Sequence, residues 1–355
     1  MKTNPGIKVF AIIVSIALLI PISKNWFSFL ARSFFYDTVD ASETPLEFKI
    51  LTDSTAAVSK CHPEIENISI PEKVRIEGNI YTVIEIGKKA FSSCRKLTNI
   101  NIPTSVKTIG DETLKNCVRL KNIKIPVSVE SIGDSAFKNC SSLKDIEIST
   151  GVKNIGNSTF ESCSSLKNIK IPVSVESIGN SAFESCSSLK NIKIPVSVES
   201  IGNSAFESCS SLKNIKIPTG VKNIGNSTFL NCSRLNYIEI PASVNTIGEL
   251  AFYNCSNLKY IKIPSNVNTI GGFAFYNCSN LKYIKIPSNV NNIEYGAFKN
   301  CSGLTNIEIP KSVTDIGESA FEGCKNLDVV IDNSKDNVVV GEDAFKGCKS
   351  IRYTK

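Results

Sequence analysis

Cysteine and histidine are the residue types whose chemistry this sequence raises first. The 355 residues include 13 Cys and one His. So many cysteines fit either a disulfide framework or a set of zinc ligands. The lone imidazole, His62, leaves little room for a Ser/His/Asp or Cys/His nucleophile system, and a histidine-rich metal site needs several imidazoles. The spacing of the cysteines decides between these chemistries.

The cysteines recur at a fixed interval. Eleven of them follow one another every 23 residues, a twelfth follows after 24, and only Cys61 lies outside the series. The series is Cys94, Cys117, Cys140, Cys163, Cys186, Cys209, Cys232, Cys255, Cys278, Cys301, Cys324 and Cys348. A constant period between 20 and 50 residues is typical of a repeat protein. No Cys-x-x-Cys pair occurs, so the spacing also argues against zinc.

The rest of the unit keeps the same period as the cysteines. The consensus is L-x-x-I-x-I-P-x-S-V-x-x-I-G-x-x-A-F-x-x-C-x-x, and residues 166–188 and 189–211 are identical. Departures are few: Leu114 replaces Phe, Ser149 replaces Pro and Glu294 replaces Gly. Paired carboxylates belong to the repeat pattern, and no phosphate-binding glycine loop occurs outside it. We therefore expect no enzyme activity, no bound metal and no cofactor.

The unit resembles a known repeat family. Its L-x-x-I-x-I core is the strand signature of a leucine-rich repeat. The I-P-x-S-V-x-x-I-G-x-x-A-F-x-x-C part looks like the BspA-type (Treponema pallidum-type) leucine-rich repeat, over roughly residues 70–351. The resemblance implies a solenoid with its short strands on the concave face. It also implies a surface protein that adheres to host matrix proteins or to other cells.

The pattern predicts an α/β solenoid of about 11–12 units. Each unit is too short to bury its own apolar side, so stacking must form one continuous core. The Ile-x-Ile alternation predicts a short strand with both isoleucines inward, and the proline after it ends that strand. Apolar residues three apart in Ala-Phe-x-x-Cys-x-x-Leu predict one short helical turn. Extended segments connect these parts.

The sequence leaves two interpretations of the cysteine column open. Cys can act as a small buried hydrophobe in every turn, with a free thiol. Stacked cysteines about 5 Å apart could also form disulfides between neighbouring units. Parallel Cβ vectors and an odd number of cysteines argue against the disulfides. Cys61 could pair with another cysteine or belong to an N-terminal cap.

The first 41 residues predict export. Lys2 and Lys8 precede an apolar run from Val9 to Ile22, which is the pattern of a secretory signal peptide. Apolar residues continue beyond Lys24, so an uncleaved signal anchor and a buried helix are the alternatives. We expect a secreted or cell-surface protein that contacts the membrane only through this segment. The division that follows is residues 1–41 for export, 42–69 for an N-terminal cap, 70–331 for the solenoid, and 332–355 for a last repeat and cap.

Outward-facing strand positions supply the candidate ligand-binding residues. They form two columns, one rich in Lys and one in which Tyr replaces Asn toward the C-terminal half. The candidates are Lys170, Lys193, Lys216, Tyr237, Tyr260, Lys262, Tyr283 and Lys285. These columns predict a strip that binds acidic proteins or glycans, with Tyr as an anchor. The alternative is a solvated face that duplication has copied.

Charge and composition leave three hypotheses for function. The net charge is +7, of which +4 comes from Lys2, Lys8, Lys24 and Arg32. The rest of the chain therefore carries only a mild excess of positive charge, and nucleic acid is not an expected partner. The first hypothesis is a non-enzymatic surface or secreted protein that binds a protein or glycan ligand, with adhesion as its role. The second is a structural or self-associating envelope scaffold. The third, an enzyme, lacks any motif outside the repeat.

Overall fold

The computed structural model describes residues 38–355, which form short strands almost throughout. The strands are β1 (Thr38–Asp40), β2 (Leu46–Thr52), β3 (Thr55–Cys61), β4 (Asn67–Ser69), β5 (Lys73–Ile76), β6 (Asn79–Ile86), β7 (Asn99–Asn101), β8 (Thr108–Ile109), β9 (Asn122–Ile123), β10 (Ser131–Ile132), β11 (Asp145–Glu147), β12 (Asn154–Ile155), β13 (Asn168–Lys170), β14 (Ser177–Ile178), β15 (Ser200–Ile201), β16 (Asn214–Lys216), β17 (Asn223–Ile224), β18 (Tyr237–Glu239), β19 (Thr246–Ile247), β20 (Tyr260–Ile261), β21 (Thr269–Ile270), β22 (Asn292–Ile293), β23 (Asn306–Ile309), β24 (Asp315–Ile316), β25 (Asp328–Ile331), β26 (Val339–Val340) and β27 (Ser350–Tyr353). Two single-turn 3₁₀ helices, Ala41–Glu43 and Lys335–Asn337, complete the described elements.

Successive turns pair in parallel, with partners one repeat apart. The first ladder uses the strand before the proline, as in the pairing of Ile146 in β11 with Ile169 in β13. The second ladder uses the strand before the glycine, as in the pairing of Ile178 in β14 with Ile201 in β15. Within residues 38–355 the first ladder has 13 rungs, from β4 to β27, if the isolated bridges at Asn191 and Tyr283 are included. The chain is therefore a solenoid of about 13 turns.

One apolar core runs the length of the solenoid. The columns of Leu, Ile, Val, Phe and Cys are buried in nearly every described turn, and both isoleucines of each Ile-x-Ile point inward as predicted. The phenylalanine rings from Phe137 to Phe345 stack on one another with centroids 5.1–5.6 Å apart. A turn is thus stabilised mainly by contacts with its two neighbours, as expected for a solenoid.

The predicted helical turn is wrong, and with it the α/β class. The Ala-Phe-x-x-Cys-x-x-Leu segment forms successive tight turns, in which Cys140 N–H donates to Phe137 O and Leu143 N–H donates to Cys140 O. Ser135 and Asn139 have φ of 56° and 59°, in the left-handed region, which interrupts a right-handed helix. Moreover, Phe137 N–H donates across to Thr159 O of the next turn. The chain is a β-solenoid because these amides bond between turns.

The N-terminal end of the ladders is covered by a hairpin. Strands β2 and β3 pair antiparallel, and β3 continues the sheet by pairing in parallel with β6. Cys61, the cysteine outside the series, ends β3 and is buried. Its thiol is hydrogen-bonded to the thiol of Cys94. This bond, together with burial, raises the pKa of Cys61. All 13 cysteines in the described part of the chain are free thiols.

The other end of the solenoid is an open sheet edge. Strand β27 pairs with β25 on one side, and β26 pairs with β24. No further strand of residues 38–355 adds to either of them. Val339 and Ile351, in these two strands, remain 68% and 45% exposed. This end therefore presents apolar side chains beside unpaired backbone groups.

The predicted signal peptide or anchor lies mostly outside the described residues. Its basic and apolar parts belong to residues 1–37, and the structure describes the chain from Thr38 onward. Among the residues that the structure does describe, no helix is both long and apolar enough to span a bilayer.

Candidate ligand-binding face

The first ladder presents a continuous outward surface, which we call the strand face. In β13, Ile169 is buried while Asn168 and Lys170 are exposed, and the same alternation holds in β11 and β16. Side chains two residues apart on a strand share a face, so each rung contributes its Asn or Tyr and its Lys or Glu to this surface. Neighbouring rungs lie about 4.8 Å apart. The result is two columns of closely spaced polar side chains.

Glutamates neutralise two of the five candidate lysines. Lys170 Nζ lies 2.5 Å from a carboxylate oxygen of Glu147, in the turn before it. Lys216 Nζ lies 2.8 Å from Glu239 in the turn after it, and this hydrogen bond raises the pKa of Lys216. Both pairs are exposed, so each contributes little to stability. Their effect is to cancel the positive charge of the first and last lysine in the row Lys170, Lys193 and Lys216.

The other three candidate lysines have no such partner. Lys193, Lys262 and Lys285 are exposed, and no carboxylate of residues 38–355 lies within ion-pair distance of any of them. Lys262 follows Glu239 in the column, but that carboxylate is bonded to Lys216. The structure thus separates the candidate lysines into neutralised and available cations.

A second column of lysines, which the sequence pattern alone did not mark as a candidate, lies next to the column of Asn and Tyr. It occupies the position just before the outward Asn or Tyr of each turn, and all its members are exposed. Its members are Lys121, Lys144, Lys167, Lys190, Lys213, Lys259 and Lys282. None of them forms an ion pair with the described residues. The sequence pattern could have revealed this column, since the first variable position of the consensus L-x-x-I is Lys in seven turns.

The tyrosines occupy three consecutive rungs of the strand face. Tyr237 pairs in register with Tyr260, and Tyr260 bridges to Tyr283. Their side chains are 46%, 48% and 46% exposed, so the rings cover the surface without entering the core. In earlier turns this position holds Asn or Asp, and Asn168 donates to Asp145 over 2.7 Å. The tyrosines therefore replace a polar ladder with an aromatic surface.

An open groove of about 700 Å³ lies on the C-terminal part of the strand face. Lys262, Tyr283 and Lys285 line it, together with Asn306 and Glu308 of the next rung. Prolines and serines that follow the strands form its other wall. Three of the eight candidates thus meet in one concavity. Tyr260 shares a rung with Lys262, and Tyr237 lies on the rung before it. Lys170, Lys193 and Lys216 lie on the same face farther toward the N terminus.

Negative charge is concentrated on the Ala-Phe-x-x-Cys-x-x-Leu segment of the same repeats, which we call the turn segment. Glu161, Glu184 and Glu207 follow the stacked phenylalanines in three consecutive turns. Partial burial is the main cause that raises the pKa of Glu184, and its two glutamate neighbours add to the effect. Lys138 compensates one end of the row through its ion pair with Glu161. The middle of the molecule is thus basic on the strand face and acidic on the turn segment.

Metal binding has no support in the described part of the chain. Residues 38–355 contain no group of three His, Cys, Asp or Glu side chains arranged to hold a metal ion. The repeat thiols lie in the core, and burial raises the pKa of Cys163 to about 12. The thiolate form that a metal requires is therefore strongly disfavoured.

Stacked parallel rungs with columns of leucine and isoleucine define a leucine-rich-repeat solenoid. The chain belongs to the BspA-type leucine-rich repeat family, whose model matches residues 60–188, 153–273 and 222–352, six copies in all. The sequence resemblance is thereby confirmed.

Two solved structures illustrate the similarity of this chain to other bacterial proteins. A leucine-rich repeat protein from Bacteroides ovatus is 26% identical, with a TM-score of 0.57, over 88% of this chain and 98% of that chain. A leucine-rich cell-surface protein from Faecalibacterium prausnitzii is also 26% identical, with a TM-score of 0.56, over 88% of this chain and 93% of that chain. The comparison with curated proteins gave no match.

Proposed function

We propose that this protein is a non-enzymatic, cell-surface or secreted binding protein whose strand face holds a protein or glycan ligand on host or neighbouring cells, with adhesion as its role. The observation that carries the proposal is the row of lysines without ionic partners beside exposed tyrosines, all on one regular surface. Solenoids commonly use such extended faces for binding. The family of the chain and the cell-surface relative support this choice.

The arrangement of charge favours an acidic ligand. Two like charges about 5 Å apart repel by roughly 0.8 kcal/mol even in water, before salt screens them. Lys190 and Lys213 of the second column carry this cost without any compensating carboxylate within ion-pair distance among residues 38–355. A ligand with negative charge removes that repulsion, and so it gains affinity and a faster association rate. Nucleic acid is not the proposed ligand, since glutamates interrupt the strand face and export removes the chain from it.

The division of the chain is proposed with the function. Residues 1–41 export or anchor the protein and make its only contact with the membrane. Residues 42–69 cap the first turn, residues 70–331 form the binding solenoid, and residues 332–355 end it. No cofactor is part of this proposal.

Charge reversal of Lys170 and Lys193, which lie in two identical repeats, tests the role of the outward lysine column. Lys193→Glu should weaken binding of the full chain to epithelial cells and to purified extracellular-matrix proteins by about tenfold, since it converts an available cation into an anion. Lys170→Glu has the same sequence context but begins as a neutralised pair, so its loss should be smaller. Binding is measured by surface plasmon resonance and by cell adhesion.

A matched control keeps the charge change but moves it off the strand face. Lys222→Glu alters an exposed lysine that directly precedes β17 of the second ladder, and this variant should bind as the wild type does. Changing Lys170, Lys193 and Lys216 together to Glu tests the whole column. Unchanged binding of this triple variant to every tested surface would refute the role of the column.

Self-association is the second candidate function, and the open C-terminal end favours it. Strand β27 offers unpaired backbone groups, Ile351 within it is exposed, and so is Val339 in β26 of the other ladder. Edge strands of this kind pair readily with another chain. Under this scaffold function, sedimentation velocity of the full chain should show assemblies that grow with concentration, and Ile351→Lys should abolish them. A monomer at all concentrations would reject it.

A further inference from the structure

We infer that the groove between the rungs of Tyr260 and Asn306 binds an acidic saccharide, with its carboxylate or sulfate between Lys262 and Lys285 and its sugar ring against Tyr283. This inference rests on the proposed binding role of the strand face and names its ligand class and its subsite. The groove is the place where the available cations, an exposed ring and hydrogen-bonding groups meet.

The two lysines suit one anionic group. They occupy the same column in consecutive turns, so their backbones lie about 4.8 Å apart. The glutamate before them is bonded to Lys216, and neither lysine has an ion pair with the described residues. Two ammonium groups so placed can share the oxygens of one carboxylate or sulfate, which are charge-assisted hydrogen bonds. A neutral sugar would leave both cations without compensation.

The tyrosines suit the apolar face of a sugar ring. Tyr260 and Tyr283 replace asparagine in two consecutive turns whose outward lysines, Lys262 and Lys285, are free. Tyr237 instead shares its rung with the glutamate that binds Lys216. Each ring is nearly half exposed, so it offers a flat aromatic surface with a hydroxyl at its edge. Carbon-bound hydrogens of a pyranose pack on such a ring, and its hydroxyls reach polar groups at the rim. Aromatic surface and free cation thus coincide in the same turns.

The rim of the groove provides hydrogen-bonding partners. Asn306 and Glu308 lie on the next rung, and Ser265 and Ser288 follow the strands on the side of the prolines. Amide, carboxylate and hydroxyl groups together donate to and accept from sugar hydroxyls. A volume near 700 Å³ lies within the range of small-ligand sites and accommodates one or a few sugar residues.

A peptide strand fits this surface less well. Inside a ladder, each rung already bonds to the rung before and after it, as Tyr260 does with Tyr237 and Tyr283. A peptide lying on the face therefore cannot add as a further strand, which is how extended peptides gain affinity from a sheet edge. The tyrosines are surface rings and not the walls of a deep socket, so an apolar anchor residue finds no pocket.

The test compares acidic oligosaccharides with their neutralised forms. Uronate-containing and sulfated oligosaccharides are titrated into the full chain by calorimetry, beside carboxyl-reduced and desulfated versions of the same chains. We expect binding of the acidic forms, at least about tenfold weaker binding of the neutral forms, and weakening by salt.

The variants use residues that the repeat already contains at these positions. Lys285→Glu copies the glutamate found at 147, 239 and 308 in the same column, and Tyr283→Asn copies the asparagine found on seven other rungs, so both should fold. Each should weaken saccharide binding by about tenfold. Lys222→Glu, which changes an exposed lysine off the strand face, should leave saccharide binding unchanged. Circular dichroism confirms the fold of each variant.

The outcomes separate the inference from the function on which it rests. Equal affinity for acidic and neutral forms, or wild-type binding by Lys285→Glu and Tyr283→Asn, overturns the inference. Binding to matrix proteins without any binding to saccharides overturns it as well, while the proposed function stands. Failure to bind cells, matrix proteins and saccharides alike would overturn both.

Discussion

At the scale of single residues, the cysteine column is a hydrogen-bonding element as well as a packing one. Cys186 Sγ donates to Phe160 O over 3.2 Å, and Cys209 makes the same contact with Phe183 O. Each thiol thus ties its turn to the backbone of the turn before it, and the contact recurs as far as Cys348. Sequence spacing predicted burial, which is confirmed, but not this bond.

The first prediction concerns pH. Burial raises the pKa of the Cys209 thiol from its ordinary value of 9.0 to about 12. Above pH 9 the unfolded chain loses this proton and the folded chain keeps it, so stability is full below pH 9 and falls as pH rises toward 12. Each buried thiol should contribute up to about 1.4 kcal/mol of loss per pH unit.

Urea unfolding at pH 8 and pH 10 checks this expectation. The double variant Cys186→Ala/Cys209→Ala should lose less stability between the two pH values than the wild type, by roughly 1.4 kcal/mol in total for each removed thiol, because the unfolded thiol titrates in the middle of this interval. Ser187→Ala serves as the control, since it alters a neighbouring side chain that does not titrate. Equal pH slopes for all three proteins would contradict the buried-thiol interpretation.

At the scale of elements, glycine and the residue after it set the distance between turns. A Cβ on Gly202 would lie 2.5 Å from the backbone nitrogen of Asn180 in the turn before, so this position requires glycine for close packing and not for a positive φ. The Asn180 side chain also accepts the N–H of Asn203 over 2.8 Å. Where Glu294 replaces glycine, its carboxylate instead accepts the N–H of Gly272 over 2.8 Å. This edge of each turn is held by backbone contacts that tolerate little extra volume.

Gly202→Ala should therefore destabilise the protein by about 1–3 kcal/mol, through overpacking of two turns. Gly225→Ala is the matched comparison, because its Cβ would meet mainly the side chain of Asn203, which can rotate away. Chemical denaturation of both variants measures the difference. A Gly202→Ala protein as stable as Gly225→Ala would show that the turns can separate at little cost.

At the scale of the whole molecule, stability is close to a sum over neighbouring turns. Residues 166–188 and 189–211 are identical, so removal of residues 189–211 leaves the sequence at the junction unchanged. The continuous core and both ladders should re-form around it. One complete turn, residues 212–234, separates the deleted residues from the turn where the groove begins, so the groove should be unaffected.

We expect the variant that lacks residues 189–211 to fold and to be shorter by one rung, about 4.8 Å. Circular dichroism and small-angle X-ray scattering test the fold and the length. Removal of residues 189–199 is the control, since a deletion of about half a period breaks the register and should abolish cooperative unfolding. A folded half-period deletion would contradict the repeat register.

The amino-acid sequence by itself determined the repeat, the inward columns and the family, because a period of 23 residues with fixed apolar positions has one way to bury them. It also determined the strand face, where alternation puts Lys170 beside Asn168. The turn segment needed the tertiary structure: apolar residues three apart suit a helix, but Phe137 N–H bonds across to Thr159 O, which lies 22 residues away in the chain. Likewise, only the fold shows that Glu239 forms an ion pair with Lys216 and not with Lys262. The sequence does not determine this choice, because it depends on which neighbouring turn a flexible side chain reaches.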